Sequence, residues 1–299
     1  MKLKQFKYSP AVVLLALCAF ALTGFMYFKS NTFHKELKLS NEQEIKVTVE
    51  SGFGTMRLSR GKPELLLDAN VNSEKNIDFE RCVEYSSDDA SGYLNINTNA
   101  DLESKTSGKK HSFHISGLES NTWDMRFTDA VPLSFDVELG MGKGDFDFSG
   151  LNVKDLNISA GASSCNLRFD EPNKSVIEDL NIESGLSKFK AEGLCNANFD
   201  HMKFSGGVGS YTLDFSGRLD REVDVDVEVG LGSLVVTLPK EIGVRINYEK
   251  NFIAHLDIDR DFTEDEEDSY VSSNFRTAEG KIIMRIEAGL GSVKVRRDR

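Results

Sequence analysis

Residues 223–238 read VDVDVEVGLGSLVVTL. Valine occupies every second position up to Gly230, and a second apolar run follows Gly232. Because successive side chains of an extended chain point to opposite faces, this period of two predicts a β-strand with one buried face. The glycines predict a corner between the two runs, since glycine adopts positive φ at no steric cost. The stretch is therefore expected to form a strand, a glycine turn and a second strand.

The same pattern recurs along the chain with a nearly constant period. The glycines equivalent to Gly230 are spaced 21, 24, 22 and 23 residues apart, at Gly140, Gly161, Gly185, Gly207 and Gly230. Counting from each glycine, apolar residues fill positions −5, −3, +1 and +6. The +1 column, for example, contains Met141, Ala162, Leu186, Val208 and Leu231. We expect all four columns to line a core, and two outlying copies surround Gly52 and Gly289.

A fixed period of strand, glycine turn and strand is typical of stacked coils. No single unit can bury its apolar row alone, but stacking at the strand spacing of about 4.8 Å joins the rows into one core. The sequence therefore predicts an all-β fold, a β-solenoid of stacked, glycine-cornered coils of roughly 22 residues. A Greek-key sandwich is the alternative, but its loops vary in length and would not keep the columns aligned.

The pattern divides the chain into three parts. Residues 1–30 are predicted to be a membrane helix, 31–130 a small β-rich domain, and 131–299 the solenoid with an acidic insertion at 247–281. Residues 31–43 are expected to be a polar lead-out from the membrane. In the small domain, strands are expected at Ile77–Phe79, Leu94–Ile96, Phe113–Ile115 and Trp123–Phe127.

The N-terminal segment Ala11–Phe28 has eighteen residues without a charge. As a helix it would be about 27 Å long, enough to cross a bilayer once. Lysines precede it, so we expect a cytoplasmic N-terminus and an extracytoplasmic body, either periplasmic or at the cell surface. Cleavage of a signal peptide near Ala19 is the alternative, but it would leave the apolar residues 25–28 exposed.

The charge balance excludes one large class of partners. The chain has 36 basic and 48 acidic residues and a net charge of −12. The first thirty residues contain four lysines and no acid, so the remaining 269 carry −16. A body of this charge does not suit a nucleic-acid backbone. Four cysteines in 299 residues do not make a disulfide scaffold.

No catalytic, cofactor-binding or metal site is predicted, and no cofactor is expected. His111 and His114 fall on opposite faces of an extended chain, which favours a surface strand over a metal site. Cys165 lies at position +4, where other copies have large apolar residues, and is predicted to be a core residue. A disulfide from Cys165 to Cys195 would need an irregular path and stays open. No helix follows the glycine corners, which argues against phosphate loops.

Two acidic features allow a second interpretation. Positions −4 and −2 are rich in acids and amides: Glu50, Asp136, Glu138, Asn157, Asn181, Glu183, Asp226, Glu228 and Glu287. They predict a solvated face with an Asn157–Asn181 amide ladder; the alternative is contact with cations or a basic partner. The run Asp257–Asp268 begins like an EF-hand loop, but Phe262 replaces the glycine of the sharp turn. It is predicted to be a mobile acidic loop, with calcium binding as the alternative.

Other motifs resemble a known family. Trp123-Asp-Met-Arg-Phe, Val131-Pro-Leu and Phe148-Ser-Gly-Leu, with the Gly-x-Gly coils, resemble the toast-rack domain of LiaF-like, cell-wall-active antibiotic response proteins. The closing segment Tyr270–Val293 fits the last coil, and the copy at Ile45–Leu67 resembles the small domain that precedes the toast rack. The resemblance implies a bacterial envelope protein without catalytic residues. LiaF-type proteins are membrane-embedded regulators of an envelope stress system, but they have several membrane helices.

Together these observations predict a non-enzymatic, membrane-anchored, extracytoplasmic interaction module of the cell-envelope stress response. Its expected partners are the membrane, through a single N-terminal span, and an envelope protein, with no nucleic acid. A homo-oligomer stays open. A surface adhesin or self-assembling scaffold is the first alternative, and a β-helix polysaccharide-processing enzyme is the second.

Overall fold

A computed structural model describes residues 31–73, 77–88, 90–98, 121–249 and 254–298. The protein is all-β with an open sheet, which confirms the predicted fold class at this level. The described residues also form one short α-helix, α1 (Phe79–Cys82), and a 3₁₀ helix at Leu194–Ala197. The strands are β1 Asn31–Lys38, β2 Glu44–Arg60, β3 Leu65–Ser73, β4 Val83–Asp88, β5 Ser91–Asn97, β6 Thr122–Phe127, β7 Leu133–Asp147, β8 Val153–Arg168, β9 Ile177–Glu192, β10 Phe199–Asp214, β11 Glu222–Leu238, β12 Gly243–Glu249, β13 His255–Ile258, β14 Phe262–Glu266, β15 Ser269–Ser272 and β16 Lys281–Arg297.

Seven long strands form the centre of the sheet. Strands β2, β7, β8, β9, β10, β11 and β16 pair in that order, every pair parallel. The register follows the predicted columns: Phe204 at position −3 pairs with Val227, and Leu213 at +6 pairs with Val236. The stacking of one copy on the next is therefore confirmed across the whole series.

Each long strand bends at its glycine corner, and its two halves pack against each other. In β10, the rings of Phe204 before the corner and Tyr211 after it are 5.3 Å apart. Phe135 at the start of β7 and Phe148 just after its end are 5.0 Å apart. All four side chains are buried and belong to one continuous apolar core. Burial of this apolar area is the main stabilisation of the stack.

Shorter strands extend both ends of the stack. The first half of β2 pairs with β5, which pairs with β4, and its second half pairs with β6, which leads to β3 and β1. At the other end β16 pairs with β12 and β13, and β12 leads to β15 and β14. Strand pairing runs from β2 to β7 without a break, so the sheet continues past residue 130. The domain limits stay predictions.

The two glycines of the corner have different roles. A Cβ on Gly161 would lie 2.5 Å from the Gly140 carbonyl oxygen, so the first glycine is needed for close backbone approach. The positive φ angles occur two residues later, at Gly142 (φ 129°), Gly232 (φ 141°) and Gly291 (φ 135°). The prediction that every glycine supplies a positive φ is therefore wrong for the first and correct for these later ones.

The +1 column faces solvent, so its predicted place in the core is wrong. Buried positions are odd before the corner (−5, −3, −1) and even after it (+4, +6), as the burial of β9 shows. Positions 0 to +3 all lie on the outside of the bend, and the buried positions change there from odd to even numbers. Columns −5, −3 and +6 are buried as predicted.

Three local predictions also need correction. Residues 31–38 form strand β1 rather than a polar lead-out, and β1 pairs with β3. Ile77–Phe79 is not a strand, because Asp78 caps α1 by accepting a hydrogen bond from the Glu80 amide. The acidic run Asp257–Asp268 is not a mobile loop, since it includes the end of β13 and all of β14. Leu94–Ile96 and Trp123–Phe127 lie in strands as predicted.

Several predictions concern residues that the structure does not describe. These are the membrane segment Ala11–Phe28, the strand Phe113–Ile115 and the pair His111 and His114. Within the described ranges, no helix combines the length and apolar character needed to cross a membrane.

Candidate interaction surface

The outward +1 column forms an apolar ridge along the corners of the stack. We define the corner ridge as Met141, Ala162, Leu186, Val208, Leu231 and Leu290. Of the seven large apolar side chains that are exposed in the described residues, five belong to it. Leu186 is 66% exposed and Leu290 is 48% exposed. Single exposed apolar residues are ordinary, but an aligned row of them marks an interaction surface.

Strand register makes the ridge continuous. Val208 pairs with Leu186 on one side and with Leu231 on the other, and Leu231 pairs with Leu290. At a strand spacing of about 4.8 Å, the six strands carry the ridge over about 24 Å. The parallel sheet holds all six side chains at fixed spacing, so the ridge is a preorganised surface.

A groove runs beside the ridge, with a volume of about 800 Å³. Its floor is the column of first glycines, which lack the side chains that would fill it. Its wall is the −2 column: Glu138, Ser159, Glu183, Ser205, Glu228 and Glu287. We call this feature the glycine groove. It combines apolar and acidic surface along the same edge of the stack.

The charge of the groove is only partly balanced. Glu228 pairs in register with Glu287, and Glu50 with Glu138, so like charges face each other on neighbouring strands. The Lys203 ammonium lies 3.5 Å from the Glu228 carboxylate. Within the described ranges, Glu183 forms no ion pair. The predicted acid-rich face is therefore present.

The −4 column differs from the −2 column. Asn181 Nδ2 donates a hydrogen bond of 3.0 Å to Asn157 Oδ1, which confirms the predicted amide ladder. The same column also contains Lys203 and Arg285, and Arg285 is bound to Glu249 at 2.6 Å. This bond raises the pKa of Arg285. The −4 column therefore mixes acids with amides and bases, whereas the −2 column along the glycine groove contains only acids and serines.

A second groove, of about 450 Å³, lies near the start of the stack. It is lined by four acids and two lysines, against four acids and no base in the glycine groove, and one of these lysines, Lys154, has its Nζ 2.9 Å from Glu44 Oε2. This contact lowers the pKa of Glu44 and raises that of Lys154. This second groove therefore attracts a charged partner less strongly than the glycine groove does.

On the other half of the stack, outward charges also neutralise each other. Arg168 donates to Asp145 at 2.9 Å and to Asp147 at 3.0 Å. Burial acts to raise the pKa of Asp147, but hydrogen bonds from Ser149 and Arg168 lower it. These contacts tie strands β7 and β8 together.

The three cysteines in the described residues lie in the core. Cys165 is buried at +4 as predicted, and Cys82 and Cys195 are buried as well. All three are free thiols, so the disulfide between Cys165 and Cys195 is not formed. Burial, assisted by the charge of Asp214, raises the pKa of Cys195 to about 12. This thiol is therefore protonated at neutral pH and a poor nucleophile.

The Asp-x-Asp-x-Asp run binds arginines of the last strand. Asp257 forms an ion pair with Arg296, and Asp261 lies 3.0 Å from Arg297 Nε. Asp259 accepts the backbone amides of Asp261 and Arg297. Hydrogen bonding by Arg296 lowers the pKa of Asp257, and backbone amides lower that of Asp259. These contacts fix β13 against β16, so the predicted mobile loop is wrong here.

One cluster with metal-ligand chemistry was not anticipated from the sequence. His34, Glu36 and Asp68 place one ligand atom each within 4.8 Å of one another. His34 and Glu36 are exposed, and Arg126 shares Asp68 at 3.7 Å. The register of β1 with β3 brings these residues together. A guanidinium beside the carboxylate favours an ion-pair network.

Comparison with known proteins gives the family. The family model for the N-terminal domain of toast_rack, DUF2154, matches residues 28–192. This chain belongs to the toast-rack family. The match includes β1 to β9, and thus Met141, Ala162 and Leu186 of the ridge, whereas Val208, Leu231 and Leu290 lie beyond it. No curated protein matches the sequence.

Solved structures with similarity to this toast-rack chain come from the genera Clostridium, Bacteroides and Parabacteroides. A "putative cell adhesion protein" from Clostridium sporogenes is 21% identical, with a TM-score of 0.46, covering 90% of this chain and 100% of its own. A "putative adhesin" from Bacteroides fragilis is 13% identical, with a TM-score of 0.32 and coverage of 89% and 97%. A "putative lipid binding protein" from Parabacteroides distasonis is 10% identical, with a TM-score of 0.24 and coverage of 90% and 97%.

Proposed function

We propose that this protein is a non-enzymatic, membrane-anchored, extracytoplasmic interaction module of the bacterial cell envelope. Its solenoid-like stack serves as a rigid scaffold, and the corner ridge binds a protein partner. The ridge carries the proposal, because an exposed apolar row of about 24 Å is costly to leave in water. A structural or regulatory role in envelope stress is what the resemblance to LiaF-like proteins implies.

The anchor would place the stack at the membrane surface. Strand β1 begins at Asn31, three residues after the predicted segment Ala11–Phe28 ends. β1 is the first strand in the order of the sheet. We therefore expect β1 to lie near the bilayer and the stack of long strands to extend away from the bilayer.

Self-assembly or adhesion is the second candidate, and the sheet ends support it. Edge strand β1 contains Lys38, Lys35 (paired with Glu80) and one acid, Glu36, whereas β14 at the other end of the order contains three acids, Glu264, Asp265 and Glu266. Opposite charges at two open edges favour head-to-tail pairing of copies. Sedimentation velocity of the detergent-solubilised chain tests this, since a monomer at every concentration would exclude it.

Site-specific photo-cross-linking in membranes tests the primary proposal. A photoreactive residue replaces Leu186 on the ridge or, as control, Val176, which is exposed to 48% away from the ridge. We expect Leu186 to give one discrete protein adduct that the Val176 position does not give. The same bulk adducts from both positions, or adducts to lipid alone, would contradict the proposal.

A further inference from the structure

We infer that the ridge and the glycine groove together bind a cationic amphipathic helix, with basic residues at every seventh position. This inference rests on the proposed function and names the class of its partner. An apolar stripe on the helix would pack on the corner ridge. Its lysines or arginines would reach the acids of the groove wall.

Charge gives the first argument. Along the −2 column, Glu228 faces Glu287 on the next strand, and their repulsion, which Lys203 beside Glu228 reduces, costs stability when the groove is empty. Glu183 has no ion-pair partner within the described ranges, and Glu138 faces Glu50. A cationic partner removes this repulsion and gains charge-assisted hydrogen bonds. An acidic partner or a neutral apolar partner would neither remove this repulsion nor form these hydrogen bonds.

Spacing gives the second argument. Glu138, Glu183 and Glu228 lie on β7, β9 and β11, which are alternate strands of the stack. Two strand spacings are about 9.6 Å. Seven residues of an α-helix rise about 10.5 Å, so side chains at i, i+7 and i+14 match these three acids. A ridge of about 24 Å corresponds to a helix of about 16 residues.

The far side of the ridge sets the orientation. Position +3 carries Lys143 on β7 and Lys188 on β9, both exposed, and serines on the other four strands of the ridge. A cationic helix is repelled from that side and attracted to the groove side. The ridge therefore has one side that suits a basic partner and one that does not.

A designed peptide tests the inference on the full chain in a nonionic detergent. The probe is a fluorescein-labelled helical 18-residue peptide with a leucine stripe and lysines at positions 1, 8 and 15. A control peptide of the same composition spaces the lysines five residues apart, about 7.5 Å. Binding is measured by fluorescence anisotropy, with protein-free micelles as the blank.

The expected result is preference for the seven-residue spacing and a graded response to protein variants. Glu183→Gln should weaken binding about threefold, and Glu183→Gln with Glu228→Gln about tenfold. Val208→Ser should weaken it about tenfold through lost apolar contact. Glu178→Gln, an exposed acid on β9 outside the groove, should leave binding unchanged.

Two results would overturn the inference: equal binding of the two peptides, or binding that the double glutamine variant does not weaken. The cross-linking experiment separates this failure from failure of the proposed function. If the Leu186 adduct persists unchanged in the double glutamine variant, the ridge binds a partner without the inferred charge. If no discrete adduct forms at Leu186, the proposed function fails as well.

Discussion

At the scale of single residues, the corner depends on how closely neighbouring backbones approach. Each first glycine has the carbonyl of the preceding one where its Cβ would be. The distance varies along the column: 2.5 Å at Gly161 but 3.2 Å at Gly185. A methyl group on Gly161 would require backbone movement, whereas a methyl group on Gly185 would nearly fit. The two positions therefore form a matched pair for a test.

Gly161→Ala should destabilise the fold by about 2–4 kcal/mol, because the new methyl group meets the Gly140 carbonyl oxygen, which the sheet holds in place. Gly185→Ala should cost less than about 1 kcal/mol. Urea unfolding followed by circular dichroism measures both. Equal losses would show that close approach is not what requires the first glycine.

The inward and outward sides of a strand can be tested at adjacent residues. Val227 is 1% exposed, whereas Glu228 faces solvent beside Lys203. Val227→Asp should cost several kcal/mol, about 4, by burying an unpaired charge between strands. Glu228→Gln should change stability by less than about 1 kcal/mol, as expected for an exposed pair. Comparable thermal shifts in the two variants would argue against the assigned faces.

At the scale of elements, the last strand is held by arginines that bind the acids of β13 and the turn after it. Arg296 lowers the pKa of Asp257, so the unfolded chain takes up a proton at this site more readily than the folded chain. The stabilisation is present above the usual aspartate value of 3.8 and is lost as pH falls through the lower folded pKa.

Asp257→Asn should therefore lower the melting temperature modestly at pH 7, and the gap to the wild type should close as pH falls below 3.8. Differential scanning fluorimetry from pH 7 to about 2.5 measures this. Asp265→Asn, which removes a 3.2 Å ion pair with Arg245 on β12, controls for a general acid effect. A gap that stays constant with pH would mean that the ion pair contributes nothing.

The strands of the stack can be predicted from the sequence, because their buried residues recur at fixed distances from the repeated glycines. Phe204 and Val227 recur at the same distance from a glycine, and the structure pairs them. At the corner, apolar character alone predicts the wrong burial for Leu186 and Val208, which lie at +1 and face solvent. Cys165 at +4 and Leu167 at +6 show that the buried positions change from odd to even within the corner, but where the change falls depends on the bend itself. Edge strands such as β1 depend on tertiary pairing with β3, which alternation in eight residues does not reveal.

At the scale of the whole molecule, one rigid sheet aligns weak features into a surface. Leu186, Val208 and Leu231 are unremarkable as single exposed residues, but parallel register sets them in a row beside a line of carboxylates. In this fold, binding would therefore depend on a column of aligned residues rather than on a pocket. Substitutions along the column should share one effect, on binding and not on folding.

The Val208→Asp variant tests this central claim most directly. Val208 is 45% exposed on the ridge, and Val176, 48% exposed elsewhere, is a control of the same residue type. The account predicts that Val208→Asp keeps the melting temperature of the wild type within about 2 °C. It also predicts loss of the membrane cross-link from position 186, while Val176→Asp retains it. Unfolding of Val208→Asp, or an undiminished cross-link, would contradict the account.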